Sequence, residues 1–152
     1  MHTDLIEQWL AHLTTRRRLS PRTVATYGGV CWTAHRQLPH GLPIATTAEL
    51  EAWIDAHPHW SPATRHLSTR VLSYFFRWAV RAGRLDWDPS AELDMPRLPR
   101  HRVPPATTEQ VQTILGNTSG VVRQASVLAS YAGLRCIEVT RQHREHVNED
   151  QV

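Results

Sequence analysis

The chain has 152 residues, of which 41% are hydrophobic and 20% charged, a composition typical of a folded globular protein. No stretch approaches the roughly 20 apolar residues of a membrane-spanning helix, so no membrane partner is predicted. The two cysteines and the lack of an export signal after Met1 predict a cytoplasmic protein. All 17 basic side chains are arginine, and although the net charge of +3 is modest, the isoelectric point of about 9.4 makes nucleic acid the first partner to consider.

Helix-start signals recur along residues 1–95, whereas strand signals are scarce. Four residue pairs have the spacing of helix N-termini: Asp4 with Glu7, Ser20 with Pro21, Thr46 with Glu49, and Ser61 with Pro62. The last pair opens the longest predicted helix, which should end near Gly83. A shorter turn of helix is predicted from Asp88 to Leu93.

Apolar residues at helical spacing follow each of these starts and predict one shared core. The predicted core residues are Leu5, Ile6, Trp9, Leu10 and Leu13, then Val24, Tyr27, Cys31, Ala34 and Leu38, then Leu50, Trp53 and Ile54, and finally Leu67, Val71, Leu72, Phe75, Trp78 and Ala79. The sequence therefore predicts a helical bundle for residues 1–95.

A proline-rich segment follows the bundle and predicts a linker at residues 96–105, because proline excludes helix and favours extended chain. Beyond it, Thr107 with Gln110 caps a short helix, a second helix runs from Val121 to Ala132, and a third begins after Gly133. These last residues hold little apolar surface for a separate core. The predicted domains are residues 1–95 and residues 106–152, both α-helical, and the extended linker joins them.

Arginines predict where an anionic partner would bind. At 100° per residue, Arg70, Arg77, Arg81 and Arg84 fall within roughly 60° of one helix face, opposite the predicted core. Four unbalanced cations on one face favour a polyanion such as DNA, although a solvated basic face is the alternative. The Ser20 helix carries a second polar side with Arg22, Thr26, Gly29, Thr33 and Arg36.

Two helix starts share the pattern Ser-Pro-x-Thr, at residues 20–23 and 61–64. Helix N-termini attract phosphate, so each is a candidate phosphate site, while the simpler interpretation is a good helix start. The complete set of predicted DNA-binding residues is Arg22, Thr23, Arg36, Thr64, Arg65, Arg70, Arg77, Arg81, Arg84, Arg97, Arg100 and Arg102. No nucleotide-binding, hydrolase or zinc-binding pattern occurs, so neither a cofactor nor a metal site is predicted.

The segment Tyr131-Ala132-Gly133-Leu134-Arg135-Cys136-Ile137-Glu138 resembles the G-L-R-x-x-E box of the tyrosine recombinases, or phage-integrase family. Residues 3–95 resemble that family's core-binding, SAM-like domain, and residues 103–147 resemble the start of its catalytic domain. The resemblance implies duplex DNA as partner, with other recombinase protomers as possible partners. It also implies that Arg135 binds the phosphate being cut and that Glu138 supports this arginine.

The pattern departs from the family in several respects. Gln142 and His146 stand where an apolar residue and an aspartate are typical, and the family's lysine hairpin, His-x-x-Arg helix and nucleophilic tyrosine have no counterpart in these residues. Tyr131 is expected to be a core side chain. We therefore expect a DNA-binding protein that does not cleave DNA alone. One alternative is a recombinase completed by further sequence or another chain, and the other is a helical protein-interaction module. The sequence leaves open whether the protein is an enzyme and whether its role is of the integrase or the resolvase type.

Overall fold

A computed structural model describes residues 3–98 and 104–141, and the chain divides into two compact units, residues 1–100 and residues 101–152. The described residues form seven α-helices and one short 3-10 helix, and no strand occurs among them. The prediction of an all-α protein is therefore confirmed. The division between the first and the second unit falls inside the predicted linker.

The first unit contains four α-helices. They are α1 (Thr3–Thr15), α2 (Pro21–Gln37), α3 (Thr47–Asp55) and α4 (Pro62–Arg81), with the 3-10 helix Leu42–Ile44 between α2 and α3. The predicted starts at Ser20 and Ser61 are confirmed by their caps. The Ser20 and Ser61 hydroxyls accept backbone N–H bonds from Thr23 and Thr64, at 3.2 and 3.1 Å. Each cap satisfies a donor that the first helical turn would otherwise leave unpaired.

Helix α3 begins with a reciprocal capping box. The Thr46 hydroxyl accepts the Glu49 N–H at 3.3 Å, and the Glu49 carboxylate accepts the Thr46 N–H at 2.8 Å. Because the hydrogen bonds from the Thr46 backbone and hydroxyl favour the ionised form, they lower the pKa of Glu49 below its usual range. The predicted box is thus confirmed.

The core lies where α1, α2 and α4 pack together, with α3 covering one part of it. The Trp9 ring meets the edge of Phe75 with centroids 5.5 Å apart, and Phe75 contacts Phe76 at 5.1 Å. The buried apolar residues are Ile6, Trp9, Leu13, Cys31, Ala34, Leu38, Leu42, Ala45, Leu50, Trp53, Ile54, Val71, Leu72, Phe75, Phe76 and Ala79. Burial raises the pKa of the Cys31 thiol, which therefore serves as a small apolar residue.

The predicted core is largely confirmed, with differences at its edge. The side chains that are only half-buried are Leu5, Leu10, Val24, Tyr27, Leu67 and Trp78, and each packs against the buried cluster from its rim. Phe76 is fully buried although the predicted face omitted it. Helix α4 packs against α1, α2 and α3, so the buried side of this helix is wider than the single apolar face that the periodicity predicts.

The predicted helix from Asp88 to Leu93 is wrong. Instead, the chain makes consecutive turns, and the Asp88 carboxylate accepts hydrogen bonds from both the backbone and the hydroxyl of Ser90. The Thr47 hydroxyl donates to the Pro89 carbonyl at 2.8 Å, which ties this turn to the start of α3. Aspartate thus caps its own turn here, a local alternative to helix that the sequence pattern alone did not separate.

Gly41 is required where α2 joins the 3-10 helix. Its φ is +81°, and an added Cβ would lie 2.6 Å from the His35 ring. The ring approaches closely because its Nδ1 accepts the Leu42 N–H at 3.1 Å. Both the backbone conformation and the space therefore exclude a side chain at this position.

The second unit is described from residue 104 to residue 141. It contains α5 (Thr108–Gly116), α6 (Gly120–Tyr131) and the one-turn helix α7 (Cys136–Val139). Thr107 and Gln110 form a reciprocal capping box like that of α3, as predicted. None of its described residues is buried.

Candidate nucleic-acid interface

The exposed face of α4 carries the arginines that the sequence singled out. Arg70, Arg77 and Arg81 are exposed, while Val71, Leu72, Phe75 and Ala79 are buried on the opposite side of the helix. None of the three arginines forms an ion pair within the described part of the chain. Their charges are therefore available to an anion from solution.

Arg84 does not continue this face, contrary to the helical-wheel prediction. Helix α4 ends at Arg81, Ala82 caps it, and Gly83 takes a φ of +64°, so the chain has turned before Arg84. Arg84 lines a separate groove beside Pro43 and Leu85. A periodicity of 100° per residue applies only as far as the helix continues.

Three helices of the first unit form a concave site that we call the basic–aromatic groove. It has a volume of about 340 Å³. Three arginines line it, Arg17, Arg77 and Arg81, and its remaining lining is Trp9, His12, Leu13, Leu19, Tyr27, Tyr74 and Trp78. No carboxylate lines it, so the groove is suited to an anion.

Arg70 is joined to this groove through Tyr74. The Arg70 Nε donates a hydrogen bond of 2.6 Å to the Tyr74 hydroxyl, and its guanidinium lies 5.4 Å from the centre of the ring. Both contacts hold the long side chain against α4. The exposed basic face and the groove therefore form one continuous cationic surface.

Arg65 occupies a different environment from the other arginines of α4. Its Nη1 donates to the Asp55 carboxylate at 3.0 Å, and 27% of its side chain is exposed. Its Nη2 also lies 3.5 Å from the His57 carbonyl. Because one charge already balances it, Arg65 ties α4 to the end of α3 and offers less to a phosphate than Arg77 or Arg81.

The two Ser-Pro-x-Thr starts have the same internal geometry. Each serine hydroxyl lies 2.9 Å from the threonine hydroxyl three residues later, Thr23 in α2 and Thr64 in α4. Proline supplies no N–H at the first helical position, and the serine occupies the N–H at the third. The cap therefore leaves fewer backbone donors for a phosphate than an open helix end would present.

The polar side of α2 and the linker contribute the remaining predicted residues. Arg22, Thr26, Gly29 and Arg36 are exposed, and an added Cβ at Gly29 would meet nothing within 4 Å. Arg97 is exposed. Arg100 and Arg102 lie outside the described residues, as do Gln142 and His146.

The glycine-arginine box of the second unit forms the predicted turn and helix start. Gly133 takes a φ of +67°, and Arg135 caps α7. The Glu138 carboxylate accepts the Arg135 backbone N–H at 2.6 Å and an ion pair from its guanidinium at 3.0 Å. Glu138 therefore fixes both the main chain and the side chain of Arg135.

Tyr131 is not a core residue in this structure, contrary to prediction. It is 71% exposed, and no residue of α6 is buried. The apolar spacing of α6 indicates a helix, but burial also requires a neighbouring surface, and none of the described residues 104–141 supplies enough of one.

Arg17 and His12 belong to the groove but were missed in the sequence. The signal was the run Arg16-Arg17-Arg18, which ends two residues before the Ser20 cap. This run follows α1 rather than lying on a helix face, so helical periodicity could not show which of the three arginines turns towards α4.

Two further features concern the described ranges, residues 3–98 and 104–141. No three His, Cys, Asp or Glu side chains come together there as a possible metal site. No helix in those ranges is long and apolar enough to cross a membrane.

Comparison with known proteins connects these features to recombinases. The chain is 27% identical to tyrosine recombinase XerC of Shigella flexneri serotype 5b over 166 aligned positions, covering 97% of the chain and 53% of that protein. It is also 27% identical to XerC of Salmonella typhi, covering 95% of the chain and 52% of that protein. The chain thus spans about half the length of these curated relatives. No family model matches it.

Solved structures with the same fold are integrases. A lambda integrase dimer bound to a COC′ core site matches with a TM-score of 0.79 at 20% identity, covering 97% of this chain and 43% of that one. The integrase of mycobacterium phage Brujita matches with a TM-score of 0.63 at 22% identity, covering 87% and 46%. The recombinase relatives in sequence and the fold shared with integrases together support assigning the chain to the tyrosine recombinase and phage-integrase family.

Proposed function

We propose that the first unit binds duplex DNA, mainly through backbone phosphates, and that the chain acts in DNA integration or site-specific recombination. One observation carries the proposal. Arg70, Arg77 and Arg81 present a continuous cationic surface with the basic–aromatic groove, and no carboxylate of the described residues pairs with any of them. Guanidinium groups are planar forks of donors that suit phosphate oxygens.

We further propose Arg135 as a phosphate-binding residue and Glu138 as its support. The ion pair of 3.0 Å and the backbone hydrogen bond of 2.6 Å hold the guanidinium at the start of α7. A preorganised arginine of this kind stabilises charge on the oxygens of a phosphate under attack. The matching relatives bear the name recombinase, and lambda integrase is a dimer on DNA, so duplex DNA and further protomers are the proposed partners.

The 152 residues alone are proposed to bind DNA without cutting it. Tyr27 and Tyr74 line the groove of the first unit, and Tyr131 closes α6 before the arginine box. The resemblance assigns none of these three tyrosines to the nucleophile, and it places the His-x-x-Arg helix outside the residues matched here.

The salt dependence of binding to a labelled duplex tests the proposal. If Arg17, Arg70, Arg77 and Arg81 neutralise about four phosphates, log K should fall against log salt with a slope of roughly −3.6. The double change Arg77→Ala and Arg81→Ala should flatten that slope by about 1.8. The measurement is fluorescence anisotropy at several salt concentrations.

Arg84→Ala is the matched control, because it removes an exposed arginine of the same unit that lines another groove. Its slope should stay close to that of the unmodified chain. Affinity that does not depend on salt would refute binding through backbone phosphates, and no binding at low salt would refute DNA binding itself. In the same reactions, a nicked duplex should give no covalent protein–DNA adduct on a denaturing gel, and an adduct would contradict the claim that this chain alone does not cut.

A further inference from the structure

We propose that the basic–aromatic groove accepts one unpaired nucleotide of a DNA strand, with its base against the aromatic lining and its phosphate against the guanidinium groups. This inference rests on the proposed DNA binding of the first unit. The nucleotide site goes beyond the proposed duplex binding, because phosphate contacts to an intact duplex use only the arginines and leave the aromatic lining without a role.

The dimensions of the groove favour a single nucleotide over a duplex. Its volume of about 340 Å³ lies at the lower end of the range for small-molecule sites, roughly 300–1,000 Å³. In a duplex the bases are stacked inside and present only their edges in the grooves. A base can therefore reach a concave aromatic surface only after leaving the stack, as an extrahelical or single-stranded nucleotide does.

Three aromatic side chains of the groove, Tyr27, Tyr74 and Trp78, are half-buried and are held in place by their neighbours. Trp78 contacts His12 at 5.8 Å and Phe75 at 6.5 Å between ring centres. The Tyr74 ring lies 6.3 Å from that of Tyr27, and its hydroxyl accepts the hydrogen bond from Arg70. Tyr74 thereby retains its own O–H as a donor to a base or a phosphate.

The charges supply the complementary half of the site. Arg77 and Arg81 are one helical turn apart on α4, and Arg17 lines the groove from beyond the end of α1. A surface of cations around aromatic rings is the combination that binds single-stranded nucleic acid, because any base can stack and every nucleotide carries a phosphate. It recognises an unpaired base irrespective of sequence.

Binding of the full 152-residue chain to three labelled duplexes tests this inference. The duplexes are an intact one, one with a single extrahelical thymidine, and one with an extrahelical abasic sugar-phosphate at the same position. The abasic duplex has the same extra phosphate and the same bend point without a base. Since stacking on aromatic side chains is worth roughly 5- to 150-fold in affinity, the thymidine duplex should bind at least about fivefold more tightly than the abasic one.

Two variants locate the effect. Trp78→Leu and Tyr74→Leu should each reduce the preference for the thymidine duplex over the abasic duplex. Trp78→Leu, which makes no contact with the arginine held by Tyr74, should also leave binding to the intact duplex within about twofold. Trp87→Leu is the matched control, because Trp87 is 55% exposed and lines the groove of Arg84 instead. Circular dichroism identifies a variant that has lost its fold. Trp78 also packs against Phe75, so if Trp78→Leu does not fold, Tyr74→Leu alone tests the preference for the thymidine duplex.

The outcomes separate this inference from the proposed function. Equal affinity for the thymidine and abasic duplexes, with salt-dependent binding to the intact duplex, would overturn the nucleotide site and leave DNA binding standing. A thymidine preference that survives both variants would also overturn it, because the base would bind elsewhere. Failure to bind any of the three duplexes would refute the proposed function itself.

Discussion

The two units of this chain use the same local signals but differ in burial. Helix α3 of the first unit and helix α5 of the second both start with a threonine cap and a reciprocal hydrogen bond three residues later. The first unit buries 16 apolar side chains, whereas none of the described residues 104–141 is buried. Capping therefore sets where a helix begins, and only packing against other helices makes a core.

The difference also separates two kinds of arginine. Arg77 and Arg81 project from a helix whose opposite side is anchored in the core, so their positions are fixed by packing. Arg135 is fixed by a residue three positions away, through hydrogen bonds within one turn. The first arrangement depends on the tertiary structure of the unit, and the second depends only on local chain geometry.

The largest expected effect comes from a matched pair of leucine truncations. Leu72 is fully buried in the first unit, and Leu128 is half-buried in the second. Leu72→Ala should lower the free energy of unfolding of the first unit by about 2–5 kcal/mol, because it leaves a cavity. All six tryptophans lie before residue 88, so tryptophan fluorescence during urea unfolding reports on this unit alone.

Leu128→Ala should leave that fluorescence transition within about 0.5 kcal/mol of the unmodified chain. A shift as large as that of Leu72→Ala would show that the two units unfold as one cooperative body. The comparison would then fail, since the core of the first unit would extend into the second.

A smaller effect is expected from removing the two matching caps. Thr46→Ala should lower the free energy of unfolding of the first unit by about 1 kcal/mol, because the Glu49 N–H loses its acceptor. Thr107→Ala removes the same bond from Gln110. Its effect should be confined to loss of helical Cα chemical shifts over the first turn of α5, with no change in the fluorescence transition.

The smallest effect is a pH dependence that only one of these boxes has. Hydrogen bonds from Thr46 lower the pKa of Glu49 in the folded chain, so its contribution to stability is complete above the unfolded pKa of about 4.3. The contribution is lost as the pH falls through the lower, folded value. Gln110 has the equivalent position in α5 and does not titrate.

Comparison with Glu49→Gln isolates this contribution from that of other carboxylates. The stability difference between the unmodified chain and Glu49→Gln should be constant above pH 5 and should shrink between pH 5 and pH 3. A difference that stays constant over this range would contradict the capping role of the carboxylate, as would an NMR titration of Glu49 with a midpoint above 4.5.

Much of the first unit could be predicted because its signals are local. Ser20, Thr46 and Ser61 each cap a helix through a residue three positions later, and the buried face of α4 follows from a period of 3.6 residues. The turn and helix start around Arg135 could be predicted for the same reason, because Arg135 and Glu138 interact within one turn.

The predicted arginine positions were wrong where the environment of a side chain depended on residues distant in sequence or on the end of a helix. The face of α4 stops at Arg81 because Ala82 and Gly83 end the helix, which moves Arg84 to another groove. Arg65 has the same side-chain chemistry as Arg77, yet Asp55, ten residues earlier, balances its charge. No pattern of spacing within α4 contains that information.

The sequence by itself determined the helical class, the helix starts and the family resemblance, because capping, periodicity and the Arg135 box are interactions between residues a few positions apart. Only the tertiary structure decided which arginines share a site. The basic–aromatic groove joins Arg17, Tyr27 and Arg81, which are brought together by the packing of α1, α2 and α4 on one core. Such a site is a property of the packed helices, because each helix contributes only part of its lining.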